Sequence, residues 1–169
     1  MRVTTPFRAP RGPVRCIRTF PGNLGQVKEA RAFVAAVLDR CPARETLLTC
    51  VSELAANAIE HTASGRGGMF TVEVGRRRDG MAFVAVVDDG APTAPAVTDV
   101  DDLAEGGRGL ALVAACSSRW GFHDDARGRT VWAEVSWPVA VRGPRGVRKV
   151  TGEIWQDLRA NLARGSKIA

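Results

Sequence analysis

The sequence predicts an α+β domain, a two-layer sandwich in which one mixed, mostly antiparallel sheet carries its helices on a single face. Three observations predict it. Apolar residues recur at spacings of three and four over residues 24–38 and again over 47–59, the pattern of two amphipathic helices. Five short runs, near 14–20, 69–75, 81–88, 119–123 and 130–137, are rich in β-branched and aromatic residues or alternate apolar with polar ones. Their order, β-α-α-β-β-loop-α-β-β, favours antiparallel neighbours, and the alternation in the strands suits a sheet covered on one side.

Each element has its own local cause. Residues 1–13 hold three prolines and read as a disordered arm. The run 14–20, with Val14, Cys16, Ile17 and Phe20 as its apolar members, reads as an edge strand closed by Pro21-Gly22-Asn23. Leu24, Val27, Ala30, Phe33, Val34, Val37 and Leu38 then form the stripe of a first helix that ends near Cys41-Pro42. A second helix is expected over about 43–62, before Ser64-Gly65 and Gly67-Gly68. The strands 69–75 and 81–88 flank Arg76-Arg77-Arg78-Asp79-Gly80, a charged hairpin connector. Residues 89–107 are rich in Ala, Pro, Asp and Gly, and loops of that length inside a domain are usually functional or mobile. A short helix over 109–116 and two more strands complete the domain at Pro138. This gives a main domain over 14–138, followed over 139–169 by a basic linker and a C-terminal helix at about 151–163.

Composition narrows the function classes. The 169 residues are 45% hydrophobic and 25% charged, enough for one core. No apolar run approaches the ~18–20 residues that span a bilayer, and the N-terminus lacks an apolar signal region. A cytoplasmic chain with no membrane role is expected. The four cysteines, Cys16, Cys41, Cys50 and Cys116, have no CxxC spacing and only His61 and His123 beside them, so they read as reduced structural thiols. The net charge of +6 is concentrated in the termini: +4 over 1–15 and +5 over 138–169 leave the body at −3. Basic tails around an acidic body argue against a nucleic-acid reading surface, and no aromatic stacking pattern accompanies them.

Three segments carry candidate chemistry. On the second helix Leu47, Val51, Leu54, Ala55, Ala58 and Ile59 gather on one side, and Glu53, Asn57, Glu60 and His61 on the other. A solvated face explains the second group. So does a site in which Glu53 acts as general base and the Asn57 carbonyl oxygen ligates Mg²⁺. The apolar strand 84–87 ends in Asp88-Asp89-Gly90, an ordinary turn or a carboxylate aimed at the amine of a base. Gly106-Gly107-Arg108-Gly109 leads into a helix at Leu110, where backbone N–H groups suit phosphate oxygens and Arg108 adds charge.

The set Glu53-x-x-x-Asn57, Asp88-x-Gly90, Gly107-x-Gly109-Leu110 and Thr130 resembles the GHKL ATPase superfamily, whose fold is the Bergerat type. The phrases Ser52-Glu53-Leu54-Ala55-Ala56-Asn57-Ala58 and Arg108-Gly109-Leu110-Ala111-Leu112-Val113 are most similar to the anti-sigma-factor serine/threonine kinases, stand-alone regulatory domains of actinobacteria. The resemblance covers about residues 15–137. It implies that Glu53 activates a serine hydroxyl of a protein substrate, Asn57 holds Mg²⁺, and Asp88 binds the adenine amine with Gly90 allowing close approach. It implies further that Gly107, Gly109 and the start of the helix at Leu110 cradle the phosphates of ATP. Arg108 would lie near the terminal phosphate, Thr130 at the adenine through a water, and residues 91–106 would be the ATP lid. Pro92 stands where the family often has a second glycine, which implies a stiffer hinge. His61 needs no role beyond ending its helix.

The implied partners are a sigma factor, its antagonist, or both; relatives of this kind commonly pair, so a homodimer is a further expectation. The competing function is a non-catalytic module in which ATP orders the lid and so controls a protein interface. A nucleic-acid binder rests only on the arginine-rich tails.

Overall fold

Two hairpins and one edge strand build the sheet. The computed structural model describes residues 14–90, 108–125 and 128–139. Its elements are β1 (Val14–Pro21), α1 (Gln26–Val37), α2 (Arg44–His61), a 3-10 turn at Ala63–Gly65, β2 (Met69–Arg77), β3 (Met81–Asp88), α3 (Arg108–Cys116), β4 (Arg119–Asp125) and β5 (Gly128–Ser136). The strands lie in the order β1-β2-β3-β5-β4. Every pairing among them is antiparallel, so the expected mixed character is absent from the described strands. The chain divides into two compact units, Met1–Trp137 and Pro138–Ala169, and all these elements belong to the first. The expected N-terminal arm, the lid at 91–106 with Pro92, Gly107, and the basic linker and helix from 140 onward lie outside the described residues.

The helix stripes fall where the periodicity places them. Ala30 and Val34 of α1 and Leu47, Val51, Leu54, Ala55 and Ala58 of α2 are buried against Val72 and Val74 of β2, Ala82, Val84 and Val86 of β3, and Val131 and Ala133 of β5. Phe20 of β1 stacks on Phe70 of β2 at 5.4 Å between ring centroids. The central strand departs from simple alternation: Phe83 and Ala85, whose side chains leave the opposite face, are buried as well. Both faces of the sheet are therefore covered at this strand, which explains why 81–88 reads as a nearly continuous apolar run.

All four cysteines serve this core. Cys41 and Cys50 are buried, Cys16 packs at its edge, and all four described cysteines are free thiols. Cys50 of α2 meets Cys116 of α3 with 3.5 Å between sulfurs. Burial, and then Cys116, push the Cys50 thiol far above its ordinary range, so it stays protonated.

The end of α2 is pinned to the end of β3, and this pin positions the site. Thr62 leaves the helix in extended conformation, donates its hydroxyl to the Ala58 carbonyl at 2.5 Å and accepts the Ser64 N–H at 3.2 Å. Ser64, fully buried, then accepts the Asp89 N–H at 2.9 Å and donates to Asp89 Oδ2 at 3.3 Å. The Ala63 N–H donates to the Gly90 carbonyl at 3.2 Å. Three hydrogen bonds therefore fix the Asp88–Gly90 turn to the 3-10 turn that follows the helix carrying Glu53 and Asn57.

Candidate functional site

Glu53 and Asn57 stand one turn apart on α2, both half-buried, where the helix meets the start of α3. A side chain built on Gly109, the second residue of α3, would come within 2.7 Å of Glu53 Oε2 and 3.6 Å of Asn57 Nδ2. Gly109 thus lets the α3 N-terminus approach both groups. Glu60 and His61, which the helical wheel places beside them, are instead exposed, each about half. The polar side of α2 therefore has two parts: an inner pair facing α3 and an outer pair facing solvent.

Asn57 Nδ2 is buried and has no hydrogen-bond partner among the described residues. Native structures rarely leave such a group unmatched, so a ligand or its water is expected there. Half a turn of the amide brings its carbonyl oxygen to the same spot, the kind of ligand that Mg²⁺ accepts. Among the described residues no group of three His, Cys, Asp or Glu side chains is placed to hold a metal. A cation here would take most of its remaining ligands from phosphate oxygens and water, the usual habit of Mg²⁺.

The second half of the site is the end of β3. Asp88 is 4% exposed and continues the row Ala82, Val84, Val86, so its side chain leaves the sheet on the helix side. Its Oδ1 accepts the Gly90 N–H at 2.7 Å. Gly90 has φ +78°, in the left-handed region, which is why glycine stands two residues after the acid. Across the ladder Asp88 pairs with Arg129, and Thr130 pairs with Val87. Cross-strand partners share a face and neighbours alternate. Thr130, though buried, therefore points to the face away from Asp88, and Arg129 takes the place beside the carboxylate that the resemblance gives to Thr130. Arg129 and Ser64 are the residues that motif reasoning missed. An arginine just before the apolar run 131–133 was the available signal for the first. Ser64 left none, because its role exists only once β3 lies beside the end of α2.

The remaining candidates divide. Arg108 begins α3 and is exposed. The Leu110 side chain is buried in the core and anchors α3, leaving only its backbone for a ligand. Gly107 lies outside the described residues.

Burial pushes the Asp88 carboxyl from its ordinary 3.8 up to about 6; the Gly90 N–H and then Arg129 oppose that rise, while Asp124 and Asp89 add to it. Between those values the folded chain keeps a proton that the unfolded chain releases. The carboxyl's contribution to stability is therefore complete below about pH 4 and disappears as pH rises through about 6. Urea midpoints measured from pH 4 to 7 should show wild type losing stability relative to Asp88→Asn over that window. Parallel curves would contradict the raised value.

No described helix is long and apolar enough to cross a membrane. In comparisons with known proteins, the family model described as histidine kinase-like ATPase domain matches residues 20–135. That span runs from the last turn of β1 to the end of β5 and contains every site residue named above. No curated protein matches the chain.

Proposed function

The chain belongs to the histidine kinase-like ATPase domain family, and from that premise we propose that it is an Mg²⁺-dependent ATP-binding protein kinase that phosphorylates a serine of a regulatory protein. The observation that carries this reading is the meeting of Glu53, Asn57 and Gly109 between two helices, with the Asn57 amide nitrogen buried and unmatched among the described residues. A purely structural helix face would have its polar groups either solvated or paired.

The residues divide the work. Asp88, fixed by the Gly90 N–H, accepts the amine of adenine through its second oxygen. The start of α3 offers backbone N–H groups to phosphate oxygens, and Arg108 supplies a mobile positive charge beside them. The Asn57 oxygen holds one position on the metal. Glu53, the acid nearest to Gly109, takes the proton of the incoming serine hydroxyl. Mg²⁺, when bound, neutralises charge on the transferring phosphate. Positioning and charge do most of the work in such transfers. The partner is a sigma factor's antagonist or the sigma factor itself, with the chain acting in the cytoplasm as a homodimer; the motif phrases on α2 and α3 support this choice.

The test has two readouts. Calorimetry with Mg-ATP should show binding that Asp88→Asn weakens by roughly 10–100-fold, the loss of one buried hydrogen bond to a charged group. Incubation with labelled ATP and a candidate antagonist should place label on serine. Binding without transfer to any antagonist tried would leave the chain a non-catalytic interaction module; no binding would remove the nucleotide reading altogether.

A further inference from the structure

A row of charges crosses one end of the sheet. Asp88 of β3, Arg129 of β5 and Asp124 of β4 are successive cross-strand partners, so their side chains leave the same face at the same level. Arg129 is only 5% exposed. It donates Nε to Asp124 Oδ1 at 2.8 Å and a terminal nitrogen to Oδ2 at 3.4 Å. The Asp124 side chain is itself 56% exposed, so the buried guanidinium holds a solvated acid on one side and stands beside a buried one on the other. Burying a guanidinium is costly, and its surroundings must offset that cost.

The geometry of Asp88 makes its charge state decisive for recognition. Oδ1 is committed to the Gly90 N–H at 2.7 Å, so Oδ2 is the oxygen left for a ligand. A proton taken up by this carboxyl therefore goes to Oδ2. Ionised, Oδ2 accepts a hydrogen bond and fits an exocyclic amine. Protonated, it donates and fits a carbonyl instead. The same pocket would then favour a 6-aminopurine in one state and a 6-oxopurine in the other. Sites built around a buried polar group discriminate strongly, because the wrong partner leaves that group unpaired.

We propose that Arg129 is a specificity-determining positioning residue, which holds Asp88 as an acceptor so that the site takes adenine nucleotides and rejects guanine nucleotides. This rests on the reading of Asp88 as the base-recognition group. The charged groups that act on Asp88 are Arg129 from β5, Asp124 from β4 and Asp89 from its own turn; α2 presents its apolar stripe to β3. Arg129 favours the ionised acid, and both aspartates oppose it. Arg129 and Asp124 thus act on Asp88 with opposite signs.

The experiment is calorimetric titration of the full chain with ATP and with GTP from pH 5 to 8, for wild type, Arg129→Gln and Asp124→Asn. Wild type should prefer ATP at pH 7 and lose that preference as pH falls through about 6. Arg129→Gln should lower the ATP-to-GTP preference at pH 7 by about 10-fold and raise the midpoint by about one unit, as expected for removing an adjacent opposite charge. Asp124→Asn should move the midpoint down, since it removes a repelling charge. An unchanged preference and midpoint in Arg129→Gln overturns the proposal. If that variant does not fold, Asp124→Asn decides alone: a downward midpoint supports the proposal, and an unchanged or upward one overturns it. Failure of wild type to bind either nucleotide would instead overturn the nucleotide reading on which the proposal stands.

Discussion

Glu53→Ala should lower phosphate transfer to a protein serine by about 10²–10⁴-fold, the usual worth of a general base, and leave ATP affinity within about threefold. The separation follows from where the carboxylate sits. Glu53 lies across from Gly109 on the α3 side of the site, whereas the proposed base recognition lies at the Asp88 turn, which hangs from the far end of α2 through Ser64. Removing the Glu53 carboxylate takes nothing from that turn. It also leaves the Asn57 amide in place one turn away, so the proposed metal ligand persists. Glu53→Gln is the sharper variant: it preserves volume and one acceptor oxygen but cannot take a proton, so the same loss of transfer isolates the proton step. Single-turnover transfer and calorimetry, run on the same preparations, check both halves. A Glu53→Gln protein that transfers at the wild-type rate would remove the acid from the mechanism.

What the sequence made legible follows from the range of the forces involved. Helix stripes and strand runs are set by neighbours within a few residues, and α2, β2 and β3 appear within two residues of the predicted bounds, while α1 ends at Val37, about four residues before the expected stop near Cys41-Pro42. The pair Glu53 and Asn57 was legible for the same reason, since one helical turn fixes their relation. The assignment of Thr130 required something else. Whether residue 129 or 130 faces Asp88 depends on the β3–β5 register, and a one-residue step exchanges the faces. No local pattern sets that register. The hairpin loop and the two-sided burial of the central strands do, and β5 buries every residue from Arg129 to Ala133, so alternation gave no sign of which side was which. The split of α2's polar side was hidden in a similar way: the wheel groups Glu53 with His61, but only the stretch beside α3 is covered.

Gly128→Ala should cost roughly 3 kcal/mol or more of stability, through backbone strain and overpacking together, and should abolish ATP binding in whatever protein still folds. Gly128 opens β5 with φ +120°, a conformation that L side chains rarely adopt. A Cβ there would also stand 1.9 Å from the Asp88 carbonyl oxygen and 3.2 Å from Asp89 Cα. Both atoms are backbone, so the clash cannot be relieved by turning a side chain; the Asp88–Gly90 turn itself has to move. That turn carries the carboxylate proposed to recognise the base and holds the end of α2 through Ser64, so its displacement reaches both halves of the site at once. Gly67→Ala is the matched control. Gly67 also has positive φ, +90°, but nothing lies within 4 Å of its added Cβ, so it should cost only about 1–2 kcal/mol and leave ATP affinity unchanged. Urea denaturation and calorimetry on the two variants separate strain in the chain from displacement of the turn. Equal losses of stability in both, with ATP still bound, would mean that the close packing of β5 on the Asp88 turn is not what holds the carboxylate in place.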